Sequence, residues 1–538
     1  MAIHRLIIRR FCKNSNSLWL AMAFTSTLAA QPVTVETDTR LADAAMARDM
    51  QTVRTLLQEK GGDVNALGEY DTPALHWVVR VEDTAVAAEL LEAGADPNIA
   101  NGYGITPLHL AIENADVEMV KLLLDAGADP LTRDRAGESA LFLAARSRSV
   151  GIVDALLKHG AAVDEHEPNF DQTPLMIAVR ASSADIVSLL IEHGADVNVQ
   201  TKSGPVPEMR LPASNAGSKG IGIVRGGWPE RGERSPVGGA KTPLLYSTRQ
   251  GDLALTRLLV EAGADIEQPD ANGVTPLLNA IVNASVGNSG EGAGQNIAAA
   301  LYLIEQGAET NVQDWYGESP LWTAVSVRNL DVNGPTRDNG VDREAMLGLI
   351  TVLLDEGADV NVRTKEQPPE RRFIMRIGDL SWVDFTGQTP FIRAALSGDL
   401  DVMNLLLEHG ADPNITTFAG TNALMAAAGM NWVVNQTWDA GPEALLAAVK
   451  LAHELGNDIN AVNSMGLNAV HAAANRGSDD IIRYLAEQGA VLDLADKEGR
   501  TPIVWAQGVF LATHPPVNRP ETVALLEQLQ ATRELVKE

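Results

Sequence analysis

A single cysteine, Cys12, occurs in 538 residues, and it lies within the first thirty. No small-residue lipobox surrounds it, so it is not read as a lipidation site. With that segment removed the chain has no thiol, hence no disulfide, thiolate nucleophile or cysteine metal site. This is compatible with an oxidising compartment without requiring one. Basic residues are also scarce, 42 Lys+Arg against 70 Asp+Glu, for a net charge of −28 at pH 7. That balance argues against a general phosphate-backbone binder, which needs clustered Lys and Arg. It fits the solubility of a long, exposed chain. The apolar run near the N-terminus is too short and interrupted for the ~20 residues of a membrane span. Ten histidines include no His-x-x-x-His pair, so metal spacing is missing. Asp-x-Asn pairs recur too far apart for one calcium loop. The glycine-rich stretch Ser289-Gly290-Glu291-Gly292-Ala293-Gly294 lacks a phosphate-binding lysine. Ser182-Ser183-Ala184-Asp185 lacks a nucleophile elbow, and nothing nominates two of the acids as a glycosidase-like pair. The expectation is no enzyme, no cofactor and no metal.

What is present first is a leader. Arg5, Arg9, Arg10 and Lys13 form a basic region without an acid, followed by the apolar stretch from Leu18 to Phe24. Thr27-Leu28-Ala29-Ala30 then supplies small residues suited to cleavage. Phe11 directly after Arg9-Arg10 is out of phase for a twin-arginine signal, so general secretion is expected. The localisation expected is periplasmic or secreted.

The rest of the chain keeps a metre. From Thr106 to Gly127 is 21 residues, and from Gly127 to the next start at Ser139 is 12; the same distances recur from Thr242 and from Thr389. A fixed period of 33 signals stacked supersecondary units, each burying its core against its neighbours. In Gly104-Ile105-Thr106-Pro107-Leu108-His109-Leu110-Ala111 the Thr hydroxyl can cap a helix whose first turn tolerates Pro. A second helix, Val117 to Leu124, carries Val120, Leu123 and Leu124 at helical spacing. Gly127 then ends it in a left-handed conformation.

This unit resembles the ankyrin repeat. The matches include Thr72-Pro73, Thr106-Pro107-Leu108-His109, Thr173-Pro174-Leu175, Thr242-Pro243-Leu244, Thr275-Pro276-Leu277, Thr389-Pro390 and Thr501-Pro502. Weaker starts are Ser139-Ala140-Leu141, Ser319-Pro320-Leu321, Asn422-Ala423-Leu424 and Asn468-Ala469-Val470-His471. The closing motif reads Gly94-Ala95-Asp96-Pro97-Asn98 and Gly357-Ala358-Asp359-Val360-Asn361, among others. The later units also look like those of exported bacterial ankyrin proteins. The resemblance implies an all-α repeat solenoid: stacked helix-turn-helix units with β-hairpin fingers and, here, long loop insertions. It also implies protein binding through finger tips and the inner helix surface, with no catalytic residue to carry over. His76, His109 and His471 occupy the family position that ties one repeat to the next.

Twelve repeats are expected, organised as follows. The leader is 1–30 and a capping repeat covers 40–68. Repeats two to five cover 69–202, and a Gly/Pro-rich finger insertion 203–238. Repeats six to eight, with inter-helix insertions, cover 239–363, and a second finger insertion 364–385. Repeats nine to eleven cover 386–497 and a C-terminal cap 498–538. The first finger insertion is basic: seven Lys and Arg stand against three Glu between Lys202 and Lys241, with Trp228 near the centre. The second contains Arg371, Arg372 and Trp382, and a later inter-helix insertion contains Trp432 and Trp438; Trp315 lies at a finger tip. Trp beside Arg is the composition of interface hot spots, and these seven residues are the partner-binding candidates. Aromatic anchoring of long loops is the competing role, and for Trp432 and Trp438 anchoring and groove-lining are expected together.

The function expected is a non-catalytic, exported, monomeric scaffold that binds a protein partner through its concave face and these loops. It binds no nucleic acid and is not stably inserted in a membrane. The alternatives are a regulator or inhibitor docked on a specific exported enzyme, a secreted host-directed effector, or an enzyme whose site is built on the insertions.

Overall fold

The computed structural model describes residues 38–59, 62–205, 237–284, 292–330, 341–365, 386–432, 437–509 and 516–537. Twenty-four α-helices follow one another there, from Arg40–Met46 to Pro520–Lys537. They form antiparallel pairs, of which Pro107–Glu113 with Val117–Asp125 is typical. Thr106 caps the first helix, its hydroxyl accepting the His109 N–H, while the His109 ring accepts the Thr106 N–H in return. Ser139, Thr173, Thr242, Thr275, Ser319, Thr389 and Asn422 likewise accept the N–H three residues on through a side-chain oxygen, and Asn468 repeats the reciprocal arrangement with His471. Each such cap contributes about 1 kcal/mol. Ten residues further on, Asp49, Asp83, Asp116 and Asp252 cap the second helix.

The closing motif joins neighbouring units. Gly127, at φ 91°, reverses the chain after the second helix. Asn98 Nδ2 donates to Gly127 O at 2.9 Å while its Oδ1 accepts the Asp129 N–H at 2.7 Å. Asn65, Asn198, Asn311 and Asn361 make the equivalent pair of bonds to the next unit. The Asp-x-Asn recurrence is thus a structural spine. The fingers are less regular than the expected β-hairpins. Their tips are closed by one backbone bond and one side chain: Asp270 N donates to Val274 O, and Asp270 Oδ1 accepts the Asn272 and Val274 N–H groups. Four-residue tips leave no room for a ladder. Among the described residues a named strand pair forms only between Gly204–Pro205 and Val237–Gly238, at the base of the first finger insertion. Fingers bond to one another through the backbone, as Gly102 N does to Tyr70 O and Trp315 N to Asn272 O.

The apolar interior forms two large clusters, bridged by the partly buried Val260 and Ile266, and a small third one of Phe142, Ala145 and Ile177. One cluster runs from Leu41 to Ala264, a second from Leu277 to Leu526. Between them lies a polar seam: Asn279 Nδ2 donates to Leu245 O and Thr248 Oγ1, and Asn296 Nδ2 to Thr248 O. Thr256 Oγ1 donates to Ser247 Oγ at 3.1 Å, also fully buried. The seam's buried polar side chains bond one another or backbone carbonyls, as burial requires.

Candidate functional site

Residues four and seven places after each first-helix cap share one helical face. In the second to sixth units the fourth place holds Trp77, Leu110, Leu143, Ile177 and Tyr246; all but the 9% exposed Ile177 are half-buried. The seventh place holds Arg80, Glu113, Arg146, Arg180 and Arg249, all exposed. From the seventh unit onward this face is covered. The fourth-place residues Asn279, Thr323, Arg393, Ala426 and Ala472 are buried, as are Ser326, Leu396, Gly429 and Asn475 at the seventh place, while Val282 at the seventh place of the seventh unit is half-buried. The inner face expected to run along the solenoid is therefore open over helices Ala74–Arg80 to Pro243–Gln250 and closed beyond them.

The finger tips of the open units carry aromatic side chains. Tyr70, Tyr103 and Phe170 are 55%, 56% and 66% exposed, and the two tyrosine rings lie 6.2 Å apart. Sequence reasoning passed over them by weighing tryptophan alone. The findable signal was a Tyr or Phe just before the position that holds Gly104 or Gly137 in neighbouring units, at strides of 33 and 67 residues. The arginine row was likewise legible at a fixed offset from the caps.

Of the seven expected binding residues, Trp228, Arg371, Arg372 and Trp382 lie outside the described residues. Trp315 is half-buried at its finger, edge-on to Tyr316 with ring centroids 5.0 Å apart. Trp432 and Trp438 lie at the inter-helix end of the closed half, each against an arginine. Arg343 stacks 3.3 Å from the Trp438 ring centroid, and Arg476 lies 5.1 Å from that of Trp432. Such cation–ring contacts, with both indoles half-buried, make them anchors of their loop. The segment from Thr437 to Ala440 is a strap across four units. Thr437 bridges Leu330, Trp438 N donates to Asn329 O, and Ala440 N to Ser397 O. Asp439 pairs with Arg476 at 2.8 Å.

Beneath the strap sits a buried ionic cluster. Asp399, 3% exposed, accepts Arg328 Nε at 2.9 Å and Arg343 Nη2 at 3.2 Å. The two arginines also donate reciprocally to each other's backbone carbonyls. Burial, with the Arg328 guanidinium alongside, presses the Arg343 pKa down to about 10. Arg393 adds bonds to Ser326, Ser397 and Asn329 O. Sequence reasoning did not single out these arginines, because their partners lie 15 to 71 residues away.

The histidines serve the scaffold. His76 Nε2 donates to Ile105 O at 2.8 Å, and burial pushes its pKa down to about 4. His159, His193 and His409 bond the carbonyl four residues earlier through Nδ1. Among the described residues no group of three or more His, Cys, Asp or Glu is placed to hold a metal, and no helix is long and apolar enough to cross a membrane.

This succession of capped helix pairs, asparagine spine and bonded fingers defines a repeat solenoid. The family description "Ankyrin repeats (3 copies)" matches residues 41–134, 131–201 and 441–510, and "Ankyrin repeat" matches 386–418. The chain carries ankyrin repeats over these residues. It is 27% identical to mouse (Mus musculus) Rabankyrin-5 over 173 residues, 32% of this chain and 12% of that protein. It is 32% identical to the putative palmitoyltransferase ZDHHC13 of Danio rerio over 275 residues, 51% of this chain and 34% of that protein. The chain thus spans about a third or less of these relatives. The crystal structure of the Bcl-3 ankyrin repeat domain aligns with 25% identity and a TM-score of 0.36, covering 48% of this chain and 95% of that one.

Proposed function

We propose that this ankyrin-repeat protein is an exported, non-catalytic scaffold that holds a protein partner on the open inner face of its second to sixth units. Ankyrin repeats indicate a protein–protein interaction scaffold. The observation that carries the location is the change of exposure along one helical face, from Arg249 outside to Ser326 and Leu396 buried. Exposed apolar and aromatic groups on the fingers beside that face extend the contact area, as an interface core requires. The finger insertions, with Trp228, Arg371, Arg372 and Trp382, are proposed as flanking contacts. Trp432 and Trp438 are assigned to holding the strap.

Capture from an extracytoplasmic extract tests the reading, using residues 31–538 and the same chain without 206–236 as baits. One stoichiometric partner on both baits places binding on the repeats; a partner lost with the deletion places it on the finger insertion. No partner on either bait refutes the scaffold reading. Export is tested separately by N-terminal sequencing of the protein recovered from each cell fraction. A chain beginning at Met1 and confined to the cytoplasm refutes it.

A further inference from the structure

Resting on that scaffold reading, we infer that the open face is built for an acidic segment of a partner protein, extended and interleaved with apolar residues. The chain as a whole is strongly acidic, yet its outermost inner-face row carries four arginines, Arg80, Arg146, Arg180 and Arg249, to one glutamate, Glu113. Arg146 is engaged by Glu138 at 2.9 Å, and Arg180 by Gln172 at 3.2 Å and the Tyr246 ring at 5.6 Å. Arg80 and Arg249 have no carboxylate within ion-pairing distance among the described residues. Directly beside this row runs the half-buried apolar one that includes Trp77 and Tyr246.

Sign and geometry define the occupant. Neighbouring helices pack about 10 Å apart, so the five rungs span about 40 Å. A segment in the extended polyproline-II conformation, rising about 3.1 Å per residue with three residues per turn, covers that in about thirteen residues and turns every third side chain to the same face, one per rung. Carboxylates three apart would face the arginines, with apolar side chains falling on the indole and phenol row. A nucleic acid matches the arginines alone: it leaves the apolar row unused, and the net charge of −28 repels it at long range. The chain's own finger insertion at 203–238 has the wrong sign, being basic in excess.

The test uses a displayed library of random dodecapeptides selected on the full chain, followed by titration of the selected peptides as synthetic probes. The expected winners carry Asp or Glu at three-residue spacing with apolar residues between. The triple variant Arg80→Ala, Arg180→Ala, Arg249→Ala should bind them about tenfold more weakly, since exposed pairs contribute modestly and screen with salt. All three residues are exposed, so its melting curve should match the parent. Glu113→Lys should tighten binding several-fold, an effect that damage to the fold cannot imitate. Neutral or basic winners, or acidic winners indifferent to all four substitutions, overturn the inference and leave the scaffold reading standing. Binding of single-stranded DNA in place of peptides also overturns it. A library that yields nothing sinks both.

Discussion

Replacing Asp399 by Ala should unfold the closed half of the solenoid well before the open half. Asp399 stands ten residues after the Thr389 cap, where Asp49, Asp83, Asp116 and Asp252 cap a second helix. Its own side chain makes no capping bond. It is instead held by Arg328 and Arg343 from the preceding unit, with side chains 6% and 22% exposed. Removing it leaves two guanidinium groups without their buried counter-charge. Breaking a buried pair from one side costs about 3–5 kcal/mol. The same substitution at Asp252 removes a cap to Leu255 N at 3.0 Å and should cost only about 1 kcal/mol.

The assay is urea unfolding followed by tryptophan fluorescence, which reports mainly on the closed half, where Trp315, Trp322, Trp432, Trp438 and Trp505 reside. Asp399→Ala should lower that transition by about 10 °C in the parallel thermal melt, and Asp252→Ala by far less. Asp399→Leu combined with Arg328→Met and Arg343→Met should recover much of the loss, because a packed apolar substitute removes the uncompensated charge. Equal, small losses at Asp399 and Asp252 would show that the arginines find other compensation, and the account of the cluster would be wrong.

The remaining expectations concern a loop, two titrations and an anchor. Gly204–Pro205 and Val237–Gly238 already pair, so replacing 206–236 by Asn-Gly closes a two-residue hairpin; a melting loss of more than a few degrees, about 1–2 kcal/mol here, would refute that. His76 has a pKa near 4 when folded against about 6.5 unfolded. The unfolded chain takes up the proton first, so stability is full above pH 6.5 and falls by about 3 kcal/mol as pH drops to 4. His76→Gln should flatten that slope in urea midpoints measured from pH 7.5 to 4.5, and an unchanged slope would refute it. Burial, with Glu318 and Asp270 nearby, raises the Asp314 pKa to about 8, so its folded carboxyl keeps a proton that the unfolded chain has lost. Stability falls as pH rises from 4 toward 8, and Asp314→Asn should raise the melting temperature more at pH 8 than at pH 5. Trp438→Ala should lower stability by releasing Arg343 while leaving peptide affinity for the open face intact; the reverse pattern would make it a contact residue.

What was legible in the sequence was whatever repeats. Thr, Ser and Asn in the cap register, Gly at the second-helix end and Asn in the closing motif all act within one unit or on the next. Their spacing exposes them even where Thr-Pro degenerates to Asn422-Ala423. The arginine cluster was not legible, since Arg328 and Arg343 of one unit and Asp399 of the next occupy different registers and meet only through stacking. Tryptophan composition left anchor and contact roles open for a related reason. A half-buried indole under an arginine looks, in sequence, the same as an exposed one beside it, and only burial separates Trp438 from a hot spot.

The two halves differ for a physical reason that bears on the proposal that binding belongs to one of them. Inner-face places in the closed half hold mostly small or hydrogen-bonding residues, among them Thr323, Ser326, Ala426 and Ala472, over which chain can pack closely. The larger Leu396 is buried with them, and Arg393 is covered with its guanidinium bonded to Ser326, Ser397 and Asn329 O. In the open half the same places hold Trp, Leu, Tyr and exposed Arg. The polar seam at Asn279, Thr248 and Asn296 lies where one regime gives way to the other. A solenoid's stability is a sum of units and nearest-neighbour interfaces, and the two large apolar clusters meet there through the partly buried Val260 and Ile266 rather than through fully buried side chains. The scaffold proposal then predicts a strapped half that holds its shape as a base and an open half that adjusts its curvature to a partner. Asn279→Leu should couple the halves by replacing the seam's central amide with apolar contact. It should merge two unfolding transitions toward one and weaken peptide binding through lost adjustment. Two transitions that persist unchanged, or a single transition in the parent chain, would show that the seam is no boundary.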